Sequence, residues 1–213
     1  MGWHLFAGFA LAAEAAGATV FSARGAGELI ESVATALSDL RGGDILVPSS
    51  QHSVIEDVGL RQALEAQGFS VIAPRGLSTH AEKAPVGLTI VDGAVAETGS
   101  IFHDATDHES RLASTLPPIH VAVVPLSGLV RDYGTLFAGI SEGGQPPSYL
   151  ALITGPSRTA DIERVLTIGV HGPSELIVIV SDLPSLTGVS KAAKASRADK
   201  GQSERALGDD TSA

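Results

Sequence analysis

The chain contains no cysteine. Disulfides, thiolate-bound zinc and cysteine-held iron–sulfur clusters are therefore outside what it can hold by itself. Positive charge is scarce as well: 14 Lys and Arg stand against 24 Asp and Glu, giving a formal charge of −10 and a pI near 5.0. Binding to a phosphate backbone depends on cationic side chains displacing counterions, so nucleic acid is not an expected partner. Long apolar runs are also missing. Residues 2–18 are the most apolar stretch, yet they fall short of the roughly 20 residues that a membrane-spanning helix needs. No Lys or Arg precedes Arg24, and Glu14 interrupts the run, which does not fit a secretory leader. Phe6, Phe9, Ala10 and Ala13 instead share one helical face, predicting a packed first helix and a cytoplasmic protein. No Gly-x-Gly-x-x-Gly after a strand, phosphate-loop lysine motif or nucleophile elbow occurs, which argues against a nicotinamide dehydrogenase or a P-loop enzyme.

What remains is an ordinary folding composition. With 213 residues, 44% of them hydrophobic and 18% charged, and a mean hydropathy of +0.23, the chain can bury one sizeable core and has room for a homo-oligomer contact. Residues 1–189 read as a single α/β domain. Residues 190–213 lose their apolar side chains and carry five basic and four acidic ones, a composition that cannot offset ordering entropy, and a disordered tail is predicted there.

Along the domain, apolar segments at 18–22, 45–47, 69–73, 119–124, 149–154 and 176–180 alternate with helical periodicity over 29–40, 53–67, 109–114 and 129–140. Ser53 with Glu56, and Thr106 with Glu109, have the spacing of capping boxes. Asp92-Gly93 lies between 88–91 and 94–97, a pair suited to a tight hairpin turn. The pattern predicts a three-layer α/β/α sandwich with a mostly parallel sheet and a hairpin insertion.

The most informative segment for chemistry runs from Ile153 through Thr154, Gly155, Ser157, Arg158, Thr159 and Asp161 to Glu163, a strand followed by a turn and a helix start. Gly155 lets the backbone turn at the strand's end. Ser157 and Thr159 offer hydroxyls, a helix N-terminus offers free N–H groups, and Arg158 offers a bidentate charge to a carboxylate or phosphate. The plainer alternative is that Ser157 or Thr159 caps the helix and Arg158 pairs with Asp161 or Glu163. His171 sits between Gly169 and Gly172 in a turn, where its ring could approach a ligand and titrate near neutrality, or serve as polar surface. Glu97, before Thr98 and Gly99, is either a candidate nucleophile or base, or a solvated strand-edge carboxylate. The spacing of His103, Asp104, Asp107 and His108 matches no established metal signature, and no metal is expected. His120 is expected in the core.

Three blocks in order, GAVAETGSI, LPPIHVAVVP and ITGPSRTADIERVLTIGVHGPSEL, resemble the LUD-domain family, of the small lactate-utilisation protein C type. The resemblance covers about residues 20–180. It implies a fold like the ribose-5-phosphate isomerase, glucosamine-6-phosphate deaminase and CoA-transferase group. It also implies one component of a bacterial system oxidising L-lactate to pyruvate, whose iron–sulfur clusters sit on partner proteins and not on this chain. Thr154, Gly155, Ser157, Arg158, Thr159, Asp161, Glu163 and Gly172 are then the expected site for a small anionic ligand, with Glu97 and His171 as catalytic candidates. A fold-level alternative is an independent transferase or ligase, like the CoA transferases or formyltetrahydrofolate cyclo-ligase, and a further one is a non-catalytic scaffold.

Overall fold

The structure is a computed structural model that describes residues 2–74, 83–143, 146–157 and 172–187. Residues 190–213, the expected tail, lie outside the described residues. In chain order the elements are α1 (Trp3–Ala15), β1 (Thr19–Ala23), α2 (Gly25–Ala36), β2 (Gly43–Leu46), α3 (His52–Asp57), α4 (Leu60–Ala66), β3 (Phe69–Ile72), β4 (Val86–Ile90), β5 (Gly93–Val95) and β6 (Ser100–Asp104). They continue as α5 (His108–Thr115), β7 (Ile119–Pro125), β8 (Leu129–Val130), α6 (Tyr133–Glu142), β9 (Leu150–Ile153) and β10 (Glu175–Ser181).

Six strands form a parallel sheet in the order β1-β10-β7-β4-β2-β3. Its central strands β4, β7 and β10 are buried at every position after the first, because both faces are covered. Val121, Val123, Ile177 and Ile179 point to one side, where Leu29 and Val33 of α2, Ile55 of α3 and Leu60 and Leu64 of α4 pack on them. Ala122, Val124, Leu176, Val178 and Val180 point to the other side, against Phe9 and Ala13 of α1 and against Ala94 and Ile101 of a second sheet. That second sheet has the order β8-β5-β6-β9, with β5–β6 and β6–β9 antiparallel and β5–β8 parallel. Its outer face carries α6, through Val95, Phe102 and Leu136. The architecture is the expected α/β sandwich on a mostly parallel sheet; one outer layer combines α1 with the four-stranded sheet that the hairpin builds.

Several local expectations are corrected. Asp92-Gly93 is not the hairpin turn. Gly93 begins β5 at the point where the chain passes from the large sheet to the small one, and a Cβ there would lie 2.1 Å from the Gly128 carbonyl oxygen. Asp92 instead accepts the Asp104 N–H at 2.6 Å, and the turn falls at residues 96–99. The helix expected over 53–67 breaks at Gly59, whose φ of +76° is left-handed. Glu56 there pairs with Arg61 at 3.0 Å and closes no capping box with Ser53. The cap of α5 is Asp107, which accepts the Ser110 N–H, while Thr106 accepts from the Tyr149 N–H and Glu109 from the Ser49 N–H. The helix expected from Leu129 starts only at Tyr133, because Leu129 and Val130 pair with Ala94 and Val95 as β8. The segment 149–154 joins the small sheet rather than the central one. Among the described residues, no helix is long and apolar enough to cross a membrane.

Candidate functional site

The antiparallel register that sets Ile101 against Ile153 also brings Ser100, first in β6, beside Thr154, just past β9. Their hydroxyl oxygens lie 2.6 Å apart. Two more hydroxyls close on the same atom: Thr98 Oγ1 at 2.8 Å, from the turn before β6, and Tyr133 Oη at 2.9 Å, from the first residue of α6. Ser100 is fully buried, Thr98 and Tyr133 are half-buried, and Thr154 is exposed, so the cluster runs from the interior to the surface.

Each support has a local cause. Asp132 caps α6 by accepting the Thr135 N–H at 2.7 Å and its hydroxyl at 2.8 Å, which fixes the helix start and hence the Tyr133 backbone. The Tyr133 ring stacks on Phe137, with centroids 6.2 Å apart. Hydrogen bonding from Ser100, with smaller contributions from Thr98 and Thr154, holds the Tyr133 phenol below its ordinary value of 10.0, against an opposing effect of burial. Hydrogen bonding from the Thr135 backbone and side chain likewise lowers the Asp132 carboxyl. Gly99 and Gly155 let both loops press on α1. At Gly99, φ is +67° and a Cβ would sit 2.2 Å from the Ala13 nitrogen; at Gly155, φ is +70° and a Cβ would sit 2.3 Å from the Ala16 carbonyl oxygen.

Four hydroxyl protons serve three contacts centred on Ser100. Ser100 can donate only one, so whichever neighbour receives that proton keeps one O–H that the contacts to Ser100 do not use. Tyr133 also hydrogen-bonds with Thr98 and Thr154, so the four hydroxyls form one connected set that reaches the surface at Thr154.

The expected site residues divide around this cluster. Thr154 belongs to it. Ser157 donates its backbone N–H to the Pro173 carbonyl at 2.8 Å, and Gly172 is so close that a Cβ there would lie 3.4 Å from Ser157 Cβ. The chain thus leaves and returns at one place, three residues past Thr154. Glu97 is exposed on the turn beside Thr98, its N–H bonded to the Arg131 carbonyl at 3.0 Å. Arg158, Thr159, Asp161, Glu163 and His171 lie outside the described residues. Thr98, Ser100 and Tyr133 are not marked by the sequence as a hydroxyl set; Thr98 and Ser100 lie close to Glu97 along the chain, and Tyr133 carries no such signal.

The histidine-rich segment is dispersed. His103 points into the core while His108 is exposed at the start of α5, and no group of three or more metal-ligating side chains occurs among the described residues. His120 is buried, as expected, with its Nε2 2.8 Å from Thr89 Oγ1.

Comparison with known proteins gives the family. The family model described as LUD domain matches residues 7–181. The chain belongs to the LUD-domain family. It is 33% identical over 177 residues to lactate utilization protein C of Bacillus subtilis (strain 168), covering 73% of each chain. It is 34% identical over 165 residues to lactate utilization protein C of Anoxybacillus flavithermus, covering 76% of this chain and 74% of that one. Among solved structures, a DUF162 family protein from Deinococcus radiodurans shares the fold, with a TM-score of 0.59 and 22% identity over 85% of this chain and 98% of that one. The family match includes the whole Ser100 cluster and both strands that carry it.

Proposed function

We propose that this LUD-domain chain is the cluster-free component of a bacterial L-lactate utilisation system. It works in the cytoplasm beside iron–sulfur partner proteins and binds a small anionic ligand at the Ser100 cluster. The observation that carries the reading is the hydroxyl set itself: Thr98, Tyr133 and Thr154 converge on a buried Ser100, and at the exposed Thr154 the set can turn an O–H to a ligand acceptor. A carboxylate oxygen is such an acceptor. Arg158 follows Ser157 directly and would supply the opposing charge, with Thr159 adding a hydroxyl and Asp161 and Glu163 accepting from a ligand hydroxyl. His171, next to Gly172, would hold or take a proton. Oxidation of L-lactate to pyruvate releases two electrons and two protons. A chain without cysteine has no thiolates for a cluster, so the electrons are assigned to the partners. Support for the lactate assignment comes from the relatives, whose names state lactate utilization.

The test combines growth and binding. A strain lacking this gene should lose growth on L-lactate and recover it with the intact chain, but not with Arg158→Ala or with Ser100→Ala and Thr154→Val together. Calorimetry with L-lactate should show binding to the intact protein, alone or with its partners, and at least about tenfold weaker binding to those variants. Full rescue and unchanged affinity in both variants would remove the cluster from the function.

A second reading is favoured by the exposure of Glu97 on the turn that carries Thr98. Glu97 would then attack an acyl-CoA thioester, forming a mixed anhydride and releasing the CoA thiolate, and the hydroxyl set would hold the acyl oxygen. Borohydride trapping after incubation with an acyl-CoA should then reduce Glu97 to an alcohol visible by mass spectrometry. An unmodified Glu97 under those conditions excludes it.

A further inference from the structure

A cavity of about 540 Å³ lies away from the Ser100 cluster, at the carboxyl ends of β7 and β10. This is the edge at which open α/β sheets hold small ligands, and the volume falls within the range typical of such sites. Along α1 the cavity touches Gly2, His4 and Leu5, whereas Gly99 and Gly155 rest on Ala13 and Ala16. At 1.5 Å per residue, roughly 12 to 18 Å of helix separates the two places.

The lining has two characters. Leu5 and Leu126, with neighbouring leucines, supply apolar walls, while Ser127, Thr187, His4 and Asp182 supply polar groups. Ser127 and Thr187 hydroxyls lie 3.2 Å apart, bridging the segments that follow β7 and β10. No lysine or arginine is among the described residues that line the cavity. At the start of α2, which could otherwise attract an anion, two N–H groups are already taken by carboxylates. Gly25 donates its N–H to Asp182 Oδ1 at 3.0 Å, and Arg24 donates its N–H to Glu28 Oε2 at 2.7 Å. A phosphate would meet the Asp182 carboxylate there and no cation among the lining residues, so electrostatics disfavour it. Asp182 is exposed, and Gly25 occupies one of its oxygens. A carboxylate in that position is an acceptor for hydroxyl donors, which is the chemistry by which an acidic side chain at a strand end binds a ribose diol.

We propose that this cavity is a second binding site, for a neutral ligand that presents a vicinal diol to Asp182 and an apolar face to the leucine walls. A nucleoside has that form, and a free sugar shares the diol alone. The site is independent of lactate and of the Ser100 cluster.

Calorimetry on the full chain with adenosine, 2′-deoxyadenosine, AMP and D-ribose tests it. Adenosine should bind, and 2′-deoxyadenosine about tenfold more weakly because one diol hydroxyl is gone. AMP should bind no more tightly than adenosine. Asp182→Asn should weaken adenosine about tenfold, and Thr187→Trp, an exposed rim change that fills the cavity, should abolish binding with the thermal unfolding midpoint retained. Adenosine binding tighter than D-ribose supports the apolar face against the leucine walls; equal affinities would remove those walls from recognition and overturn the proposal. No binding of adenosine or ribose, equal affinity for the deoxy compound, tighter binding of AMP, or indifference to both variants would overturn it.

Discussion

The chemistry of the site rests on single atoms, and Ser100 Oγ is the one on which the others depend. It is buried and surrounded by three oxygens, so it holds the Tyr133 hydroxyl in a hydrogen-bonded setting that favours the phenolate. The chain has two tyrosines, Tyr133 and Tyr149. A difference titration of phenolate absorbance between the intact protein and Tyr133→Phe should therefore isolate a group ionising below 10.0, and Ser100→Ala should move that group upward. An unchanged titration in Ser100→Ala would mean that Ser100 does not govern the phenol. Thr154 and Gly155 are legible in the sequence, because a strand running into a glycine turn with hydroxyls is a local pattern. Ser100 and Tyr133 are not. They meet Thr154 only through strand register and the start of α6, and neither is encoded by spacing along the chain.

β7 and β10 carry the apolar runs 121–125 and 176–180, and such runs announce a strand covered on both faces whatever its neighbours are. β8 spans two residues and β5 three, too short for any periodicity, so the second sheet arises from pairing rather than from propensity. Asp92-Gly93 shows the same limit: its residues suit a tight turn, but the close approach of Gly128 to Gly93 decides for a crossing between sheets. The true turn docks against α1 through Gly99. Gly99→Ala would force a side chain into a left-handed backbone position and onto Ala13, and should destabilise the protein by on the order of 3 kcal/mol. Urea unfolding should show this as a lower midpoint at an unchanged slope; an unchanged midpoint would mean the turn does not bear on α1 as described.

At the scale of the whole molecule, two sheets share one interior, and each contributes a buried histidine. Burial pushes His120, on β7, from 6.5 down to about 3, with the charge of His103 adding to the effect. Burial also lowers His103, on β6, against the attraction of Asp92 and Asp104. Among the described residues, His103 Nε2 and His120 Nδ1 have no hydrogen-bond partner, so neither ring gains from a proton there. Below 6.5 the unfolded chain takes up protons that the folded chain refuses, so this stability is present above 6.5 and lost as pH falls toward about 3. Urea midpoints measured between about pH 7.5 and about pH 4.5, above most carboxylate titration, should decline in the intact protein. The decline should be shallower in His120→Gln, whatever that variant's stability at neutral pH, and parallel slopes would contradict the assignment.

The most direct test of the central claim is an amide chemical-shift titration of the isotope-labelled chain with L-lactate, in the presence of its partners if needed. Shifts that grow together at Thr98, Ser100, Tyr133, Thr154 and Ser157, with a single dissociation constant lost in Ser100→Ala, are the predicted result. Saturating lactate that moves none of these five amides, or moves them equally in Ser100→Ala, would contradict it.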